Sequence, residues 1–449
     1  MSKKSETTKQ ERRKYAEEIV KRLKSAGFKA YFVGGCVRDF IRGKIPGDYD
    51  IATSALPEQI IALFDHTVGV GKKFGVVVVV EKNFNYEVAT FRSDDIYQNG
   101  RRPKIIHFST EREDVLRRDF TINGLLMDPE TGEVTDYIDG RSDINNGIIR
   151  TIGDPRIRFS EDYLRMLRAI RFAANLDYKI EEHTKQAIKD NSFRIKQISA
   201  ERIQEEITKI LRRPGARYGL ELMAETGMLH QLLPEIEKLK GVNQPPRFHP
   251  EGDVWEHTLT MLELLPFGEN GEANFALAWA VLLHDAGKTF TRTEDEKGVH
   301  FYGHVQMGEQ IAEEVMKRLR FSRAQRETII NLIHYHMVFM NVQKMRPGRL
   351  KRFLRMPNFD LHLDLHRLDC LASHGMLDNY EFCREQLRKL DTLDLHPQRL
   401  ITGHDLIALG YRPGKNMGRI LQKIENEQLE GKIKTTKEAL AFVKENWEE

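Results

Sequence analysis

Near residue 156 the sequence changes its period, and no other feature constrains the fold as much. Before that point β-branched runs alternate with short helical stretches. After it, apolar residues recur at helical spacing to the end of the chain. The pattern predicts an α+β head, a small mixed sheet with helices, followed by an all-α neck, body and tail. The molecule should be mostly helical. In the head, residues 12–26 read as an amphipathic helix closed by Gly27, and "KAYFVGG" as a strand entering a Gly-Gly turn. "VRDFIRGKI" then reads as a short helix and "DYDIATS" as a strand. "PEQIIALF" reads as a helix with Pro57 in its first turn and Ser54 as its cap. "FGVVVVVEKN" and "NYEVATFR" frame a hairpin around Asn83–Asn85. The Pro- and Gly-rich stretch 241–253 separates two helical regions, so the divisions expected are 1–150, 151–245, 246–375 and 376–449.

A chain of 449 residues exceeds one ordinary core, which agrees with several domains. Its 70 basic residues nearly balance 67 acidic ones, so an acidic partner must meet a local basic patch rather than a global field. Cys36, Cys370 and Cys383 have neither metal nor disulfide spacing and suit a reducing compartment. No apolar run reaches membrane-spanning length, and the first residues lack an apolar signal core. A cytoplasmic location without a membrane partner is expected.

Four features carry chemistry. In "GDYDIATSA", Asp48 and Asp50 stand two apart, so an extended chain puts both carboxylates on one face. Such a pair is either a solvated strand end or a holder for two Mg²⁺ ions acting on phosphates. Glu87 in "NYEVATFR" is a third carboxylate or a strand-surface glutamate. Just upstream, "VGGCVRD" offers glycine backbone and Arg38 to a phosphate. "RRDFTINGLL" can bring guanidinium groups to a triphosphate, or it is a charged helix start with Asp119 as cap. In "EDYLRMLRAIRF", Asp162, Arg165, Arg168 and Arg171 recur every three residues along a helical stripe, with Phe172 on the packing side. The stripe is a solvated face or a reader of base edges and phosphates. Finally, His257, His284, Asp285, His336 and Asp369 lie in helical context and can assemble a site of imidazoles and carboxylates.

Together "VGGCVRDFIRG", "DYDIATSALPEQI", "RRDFTINGLL" and "EDYLRMLRAIRFAA" resemble the signature blocks of bacterial class II tRNA nucleotidyltransferases. That family includes CCA-adding enzymes and shares its head with bacterial poly(A) polymerases. The resemblance implies a nucleotidyltransferase head that joins CTP and ATP to the 3′ end of tRNA and releases pyrophosphate. It implies Mg²⁺ on Asp48 and Asp50, triphosphate contacts from Gly35, Arg38 and Arg118, and base reading by Asp162 and Arg165. Arg168 and Arg171 would support the base site, and tRNA would be gripped at its acceptor arm. Residues 91–108 resemble the loop that switches the family from C to A, which argues against CC-only addition and leaves CCA and A-only addition open. Residues 68–80 lack the Arg-rich variant associated with poly(A) polymerases. Residues 248–375 resemble an HD phosphohydrolase-type domain, with His304 and His336 added to its motif. That domain is either a second metal site or a helical body kept for tRNA contact. A poly(A) polymerase and a metal-dependent phosphohydrolase with an RNA-binding N-terminal part remain alternatives.

Overall fold

The structure is a computed structural model that describes residues 3–69, 75–94, 97–98, 102–103, 106–246, 249–296, 298–390 and 398–447. The chain divides into two compact units. The first holds residues 1–238, 265–278 and 314–322, and the second holds 239–264, 279–313 and 323–449.

The first unit opens with α1 (Lys3–Ser25), longer than its apolar pattern alone suggests. Next come β1 (Ala30–Val33), α2 (Gly35–Ile41), β2 (Asp50–Thr53) and α3 (Pro57–Leu63). β3 (Thr67–Val68), β4 (Val76–Glu81) and β5 (Phe84–Thr90) complete the first part of the sheet. Strands Leu126–Met127 and Val134–Thr135 extend it on the other side of β1. In this seven-stranded sheet only β2 and β5 run parallel. Phe32, Ile51, Val77, Val79 and Val88 are fully buried, each contributing roughly 1.5–3 kcal/mol of apolar burial before entropy is counted.

Two local expectations are corrected. Ser54 does not cap α3; its hydroxyl accepts the Lys29 amide at 2.9 Å. The cap position is Leu56, whose amide donates to Gln59 Oε1 at 2.8 Å. The hairpin turn is Lys82–Asn83, both left-handed (φ 48° and 70°), while Phe84 and Asn85 already belong to β5. Two successive positive-φ residues match the strand twist that a tight hairpin needs, and Asn tolerates that conformation.

α4 spans Glu111–Leu116, and from Gly140 onward the first unit is mostly helical. The helix expected through "EDYLRMLRAIRF" is broken. One helix spans Pro155–Glu161 and the next Leu164–Leu176, with Asp162 extended between them (φ −153°). The cause is local: Asp162 Oδ1 accepts the Leu164 amide at 3.0 Å and so starts the second helix.

Among the described residues the second unit is helical apart from one hairpin, Thr293–Asp295 with Gly298–His300. One core gathers Phe339, Phe353 and Phe359; another, nearer the C-terminus, gathers Leu406, Ile420 and Val443.

Candidate active site

Asp50 opens β2, and Asp48 lies just before the strand rather than within it. The exposure pattern still alternates, with Tyr49 buried between two exposed aspartates. Parallel pairing of Ile51 with Val88 brings Glu87 beside Asp50. Asp50 opens to solvent on one side and is crowded by protein on the others. That desolvation, with Glu87 and Asp48 nearby, pushes its pKa up to about 6 against the pull of Arg118. Asp50 with Glu87 and Asp48 near it carries more negative charge than Arg118 and the Asp48-bound Arg12 offset, and carboxylate oxygens suit a divalent cation, so these residues fit such an ion.

Gly34 joins β1 to α2 with φ +72°, and a Cβ there would sit 3.5 Å from Asp50 Oδ2 and 3.7 Å from Arg118 Nη1. A side chain at this turn would be strained and would fill the space before both groups. Arg118 lies just past α4 and is aimed by an acid within it. The buried Asp114 holds Arg117 at 2.5 Å and Arg118 at 2.9 Å. Burial pushes the Asp114 pKa up, but the two guanidiniums outweigh it and keep it low. Arg38 donates to Asn123 Oδ1 at 2.9 Å.

Gly35, Arg38, Asp50, Arg118, Asp162, Arg165, Arg168 and Arg171 line one cleft of about 540 Å³, within the usual range of small-molecule sites. The structure thus brings the expected phosphate and base groups together with Asp50. Asp48 and Glu87 flank Asp50 without lining that cleft.

The arginine stripe is not a solvated face. Arg165 pairs with Glu161, Arg168 Nη2 with Asp119 at 2.6 Å, and Arg171 with Glu206 at 2.6 Å. Asp162 Oδ2 accepts Arg202 Nη2 at 2.6 Å. Asp119 is therefore no helix cap. Burial opposes its charge, yet Arg168 wins and holds its pKa at about 2. Phe172 also departs from the sequence reading. It lines the cleft, its ring centre 4.1, 5.4 and 5.7 Å from the guanidinium carbons of Arg171, Arg168 and Arg38. Sequence reasoning took Arg117 only as part of the Arg-Arg pair and passed over Asn123, Arg202 and Glu206. For the last two a signal existed: Arg202 and Glu206 stand four apart, on one face of the helix Ala200–Leu211.

Of the 91–108 loop, Arg92–Asp94 pairs with Ile106–Phe108. Residues 95–96, 99–101 and 104–105 lie outside the described residues, as do 70–74 of the stretch compared with poly(A) polymerases.

In the second unit the histidines converge. His257 Nε2 is 3.2 Å from Asp369 Oδ1, His284 Nε2 is 3.2 Å from Asp285 Oδ2, and His304 Nε2 is 3.4 Å from His336 Nε2. His284, His304 and His336 each place Nδ1 within 2.6–2.9 Å of a main-chain carbonyl three residues back. A carbonyl only accepts, so Nδ1 of each ring carries a proton; burial pushes the His304 and His336 pKa values down, which leaves their Nε2 atoms as lone-pair donors facing the cluster. His257 and Asp285 interact more strongly. Burial disfavours the imidazolium, but Asp369 and Glu251 push the His257 pKa up to about 9. Asp285 is held well below the carboxylate range, its burial outweighed by His284 and Lys288. Lys288 Nζ is 2.7 Å from Asp285 Oδ2. Among the described residues, His257 Nε2 and His284 Nε2 are buried without a partner in hydrogen-bond geometry. Glu251 and His249, which share a 2.7–2.9 Å network with His257, were not singled out from the sequence.

A mixed sheet whose carboxylates border an arginine-lined cleft, in a chain that continues as helices, defines a nucleotidyltransferase of the class II tRNA type, a class that uses a divalent metal. Comparison with known proteins agrees. Residues 30–150 match the poly A polymerase head domain, 177–240 a probable RNA and SrmB-binding site of polymerase A, and 291–443 a putative tRNA nucleotidyltransferase domain 2. A CCA-adding enzyme of Ligilactobacillus salivarius is 34% identical over 95% of both chains. That of Geobacillus stearothermophilus is 48% identical, over 47% of this chain and 52% of its own length. The Bacillus stearothermophilus CCA-adding enzyme solved with CTP superposes with TM-score 0.72 at 28% identity, covering 96% of each chain. The chain belongs to the family of CCA-adding enzymes.

Proposed function

We propose that this enzyme adds C, C and A in turn to the 3′ end of tRNA from CTP and ATP. One observation carries the reading: Asp50, the phosphate-side groups Gly35, Arg38 and Arg118, and the base-side pair Asp162 and Arg165 all line one cleft. The 3′-hydroxyl of tRNA attacks the α-phosphorus, its bond to the bridging oxygen breaks, and pyrophosphate leaves. Arg38 and Arg118 hold the triphosphate, anchored by Asn123 and Asp114. Asp162 offers acceptors and Arg165 donors to the Watson–Crick edge, so no nucleic-acid template is required. Arg168 and Arg171 brace that pair. Mg²⁺ is the ion that Asp48 and Asp50 would hold, with Glu87 beside them; when bound it offsets charge on the reacting phosphate. Basic helical surfaces hold the acceptor arm mainly through phosphates.

Relatives that span the chain end to end are CCA-adding enzymes, which favours this reading over a poly(A) polymerase and over a phosphohydrolase with an RNA-binding head. No helix among the described residues is long and apolar enough to cross a membrane, which fits a cytoplasmic enzyme. The working division remains head 1–150, neck 151–245, HD-like body 246–375 and tail 376–449. The test is incubation with tRNA ending at the discriminator base, at C, or at CC, with CTP and ATP supplied separately. Stepwise C, C, A addition is expected. Addition of A alone, or of long adenylate tails, contradicts the reading.

A second site is also proposed. His257, His284, Asp285, His336 and Asp369, with His304, would hold a divalent metal in the second unit, and the bare Nε2 atoms of the cluster support this. A metal there would supply phosphate-ester hydrolysis. Metal analysis of the purified enzyme tests it: an ion bound in the wild type and lost in His284→Ala is expected, and equal content in both contradicts it.

A further inference from the structure

Arg12 of α1 stands against the turn that carries Asp48. Its Nη1 donates to Asp48 Oδ1 at 2.6 Å and to the Gly47 carbonyl at 2.9 Å. Its guanidinium carbon lies 5.0 Å from the centre of the Phe84 ring, and its own carbonyl accepts the Tyr86 hydroxyl at 3.0 Å. Phe84 and Tyr86 belong to β5, the strand that also bears Glu87. α1 is thereby tied to both the Asp48 turn and the Glu87 strand. The side chain of Asp48 is 89% exposed, and no second cation is paired with it among the described residues.

We propose that Arg12 is a positioning residue that acts as a resident counter-charge for Asp48 and lowers the affinity of the carboxylate site for its divalent cation. This inference rests on the metal reading of Asp48 and Asp50. A guanidinium 2.6 Å from a ligand oxygen occupies one lone-pair direction and repels an approaching dication. The ring of Phe84 and the Gly47 carbonyl hold Arg12 in place, so it does not simply swing into water. The pair is solvent-exposed, so its effect on metal binding is modest, about two- to fivefold in dissociation constant. Linkage makes the coupling reciprocal. Metal at Asp48 weakens the hold of Arg12, and with it the attachment of the first turns of α1.

The test is Mn²⁺ titration of the full-length enzyme by calorimetry, following the binding event that Asp50→Asn abolishes. Arg12→Met, which keeps an apolar contact with Phe84, should tighten that event about two- to fivefold, and Arg12→Lys should fall between Met and wild type. Amide exchange in residues 8–14 should also rise when Mn²⁺ is added to wild type, and not in Arg12→Met. Unchanged or weaker Mn²⁺ binding in Arg12→Met overturns the counter-charge role while leaving the metal reading intact. A wild type with no Mn²⁺ event sensitive to Asp50→Asn overturns both.

Discussion

The two units hold acidic clusters of opposite design. In the head, Asp48, Asp50 and Glu87 are exposed and share few cations, and the neighbouring arginines line the cleft while acids hold them from behind. In the second unit, Asp285 and Asp369 are enclosed by imidazoles and by Lys288, all within hydrogen-bonding or near-contact distance. The first design suits a site whose charge is completed anew in each cycle by nucleotide and metal. The second suits a site that keeps its charge balance through resident partners. The pKa pattern follows from this. Asp50 is pushed up to about 6 because it is crowded by protein and lacks enough positive company. Asp369 is pulled far down because His257 outweighs its burial.

The largest effect expected is on Asp50. Replacing it with Asn should cut nucleotide addition by about a thousandfold or more, the scale of losing a central electrostatic stabiliser, while tRNA retention on a filter is preserved. If Asp50→Asn loses tRNA binding equally, the site is structural and the contrast collapses. His257→Ala leaves the half-buried Asp369 and Glu251 without their shared partner. It should lower unfolding free energy by about 3 kcal/mol in urea titration, whereas Asp48→Asn, at an exposed site, should change it by less than about 1 kcal/mol. Equal losses would erase the distinction between an open and an enclosed cluster.

Base choice is the next test. Asp162→Asn or Arg165→Lys should reduce preference for CTP and ATP over UTP and GTP by about 5- to 100-fold, the worth of one paired edge contact. Competition assays with mixed nucleotides read this directly, and unchanged selectivity removes both residues from base reading.

The smallest effect concerns acid stability. Asp119 is held at about 2, below the usual carboxylate value near 3.9. Its stabilisation is therefore complete above the unfolded value and is lost as pH falls through the folded one. The stability gap between wild type and Asp119→Asn should be constant above about pH 5 and close as pH falls toward 2. A gap that widens on acidification would show that Arg168 does not hold Asp119 charged.

Much of the fold was legible because period and punctuation are local. The sheet-to-helix switch, the Lys82–Asn83 region and the Gly34–Gly35 turn all leave short-range marks. That Asp50, Arg38 and Arg118 would meet at one cleft was legible because they stand in short sequence blocks. The missing parts depend on partners distant in sequence. Nothing near Arg168 announces that Asp119, 49 residues earlier, will hold it. Nothing near Asp48 announces Arg12. The break at Asp162 was missed for a different reason. Spacing of three continues smoothly through "EDYLRMLRAIRF", yet the Asp162 side chain captures the Leu164 amide and ends the run. Periodicity records which face is apolar; it does not record when a short polar side chain outcompetes the helix for a backbone donor.

The central claim is that the cleft beside Asp50 performs ordered, template-free addition. Gel-resolved extension of tRNA ending at the discriminator base, by wild type and Asp50→Asn side by side, tests it most directly. The account predicts two added residues with CTP alone, three with CTP and ATP together, and none with the variant. Extension by Asp50→Asn at the wild-type rate, or wild-type extension beyond three residues, would contradict it.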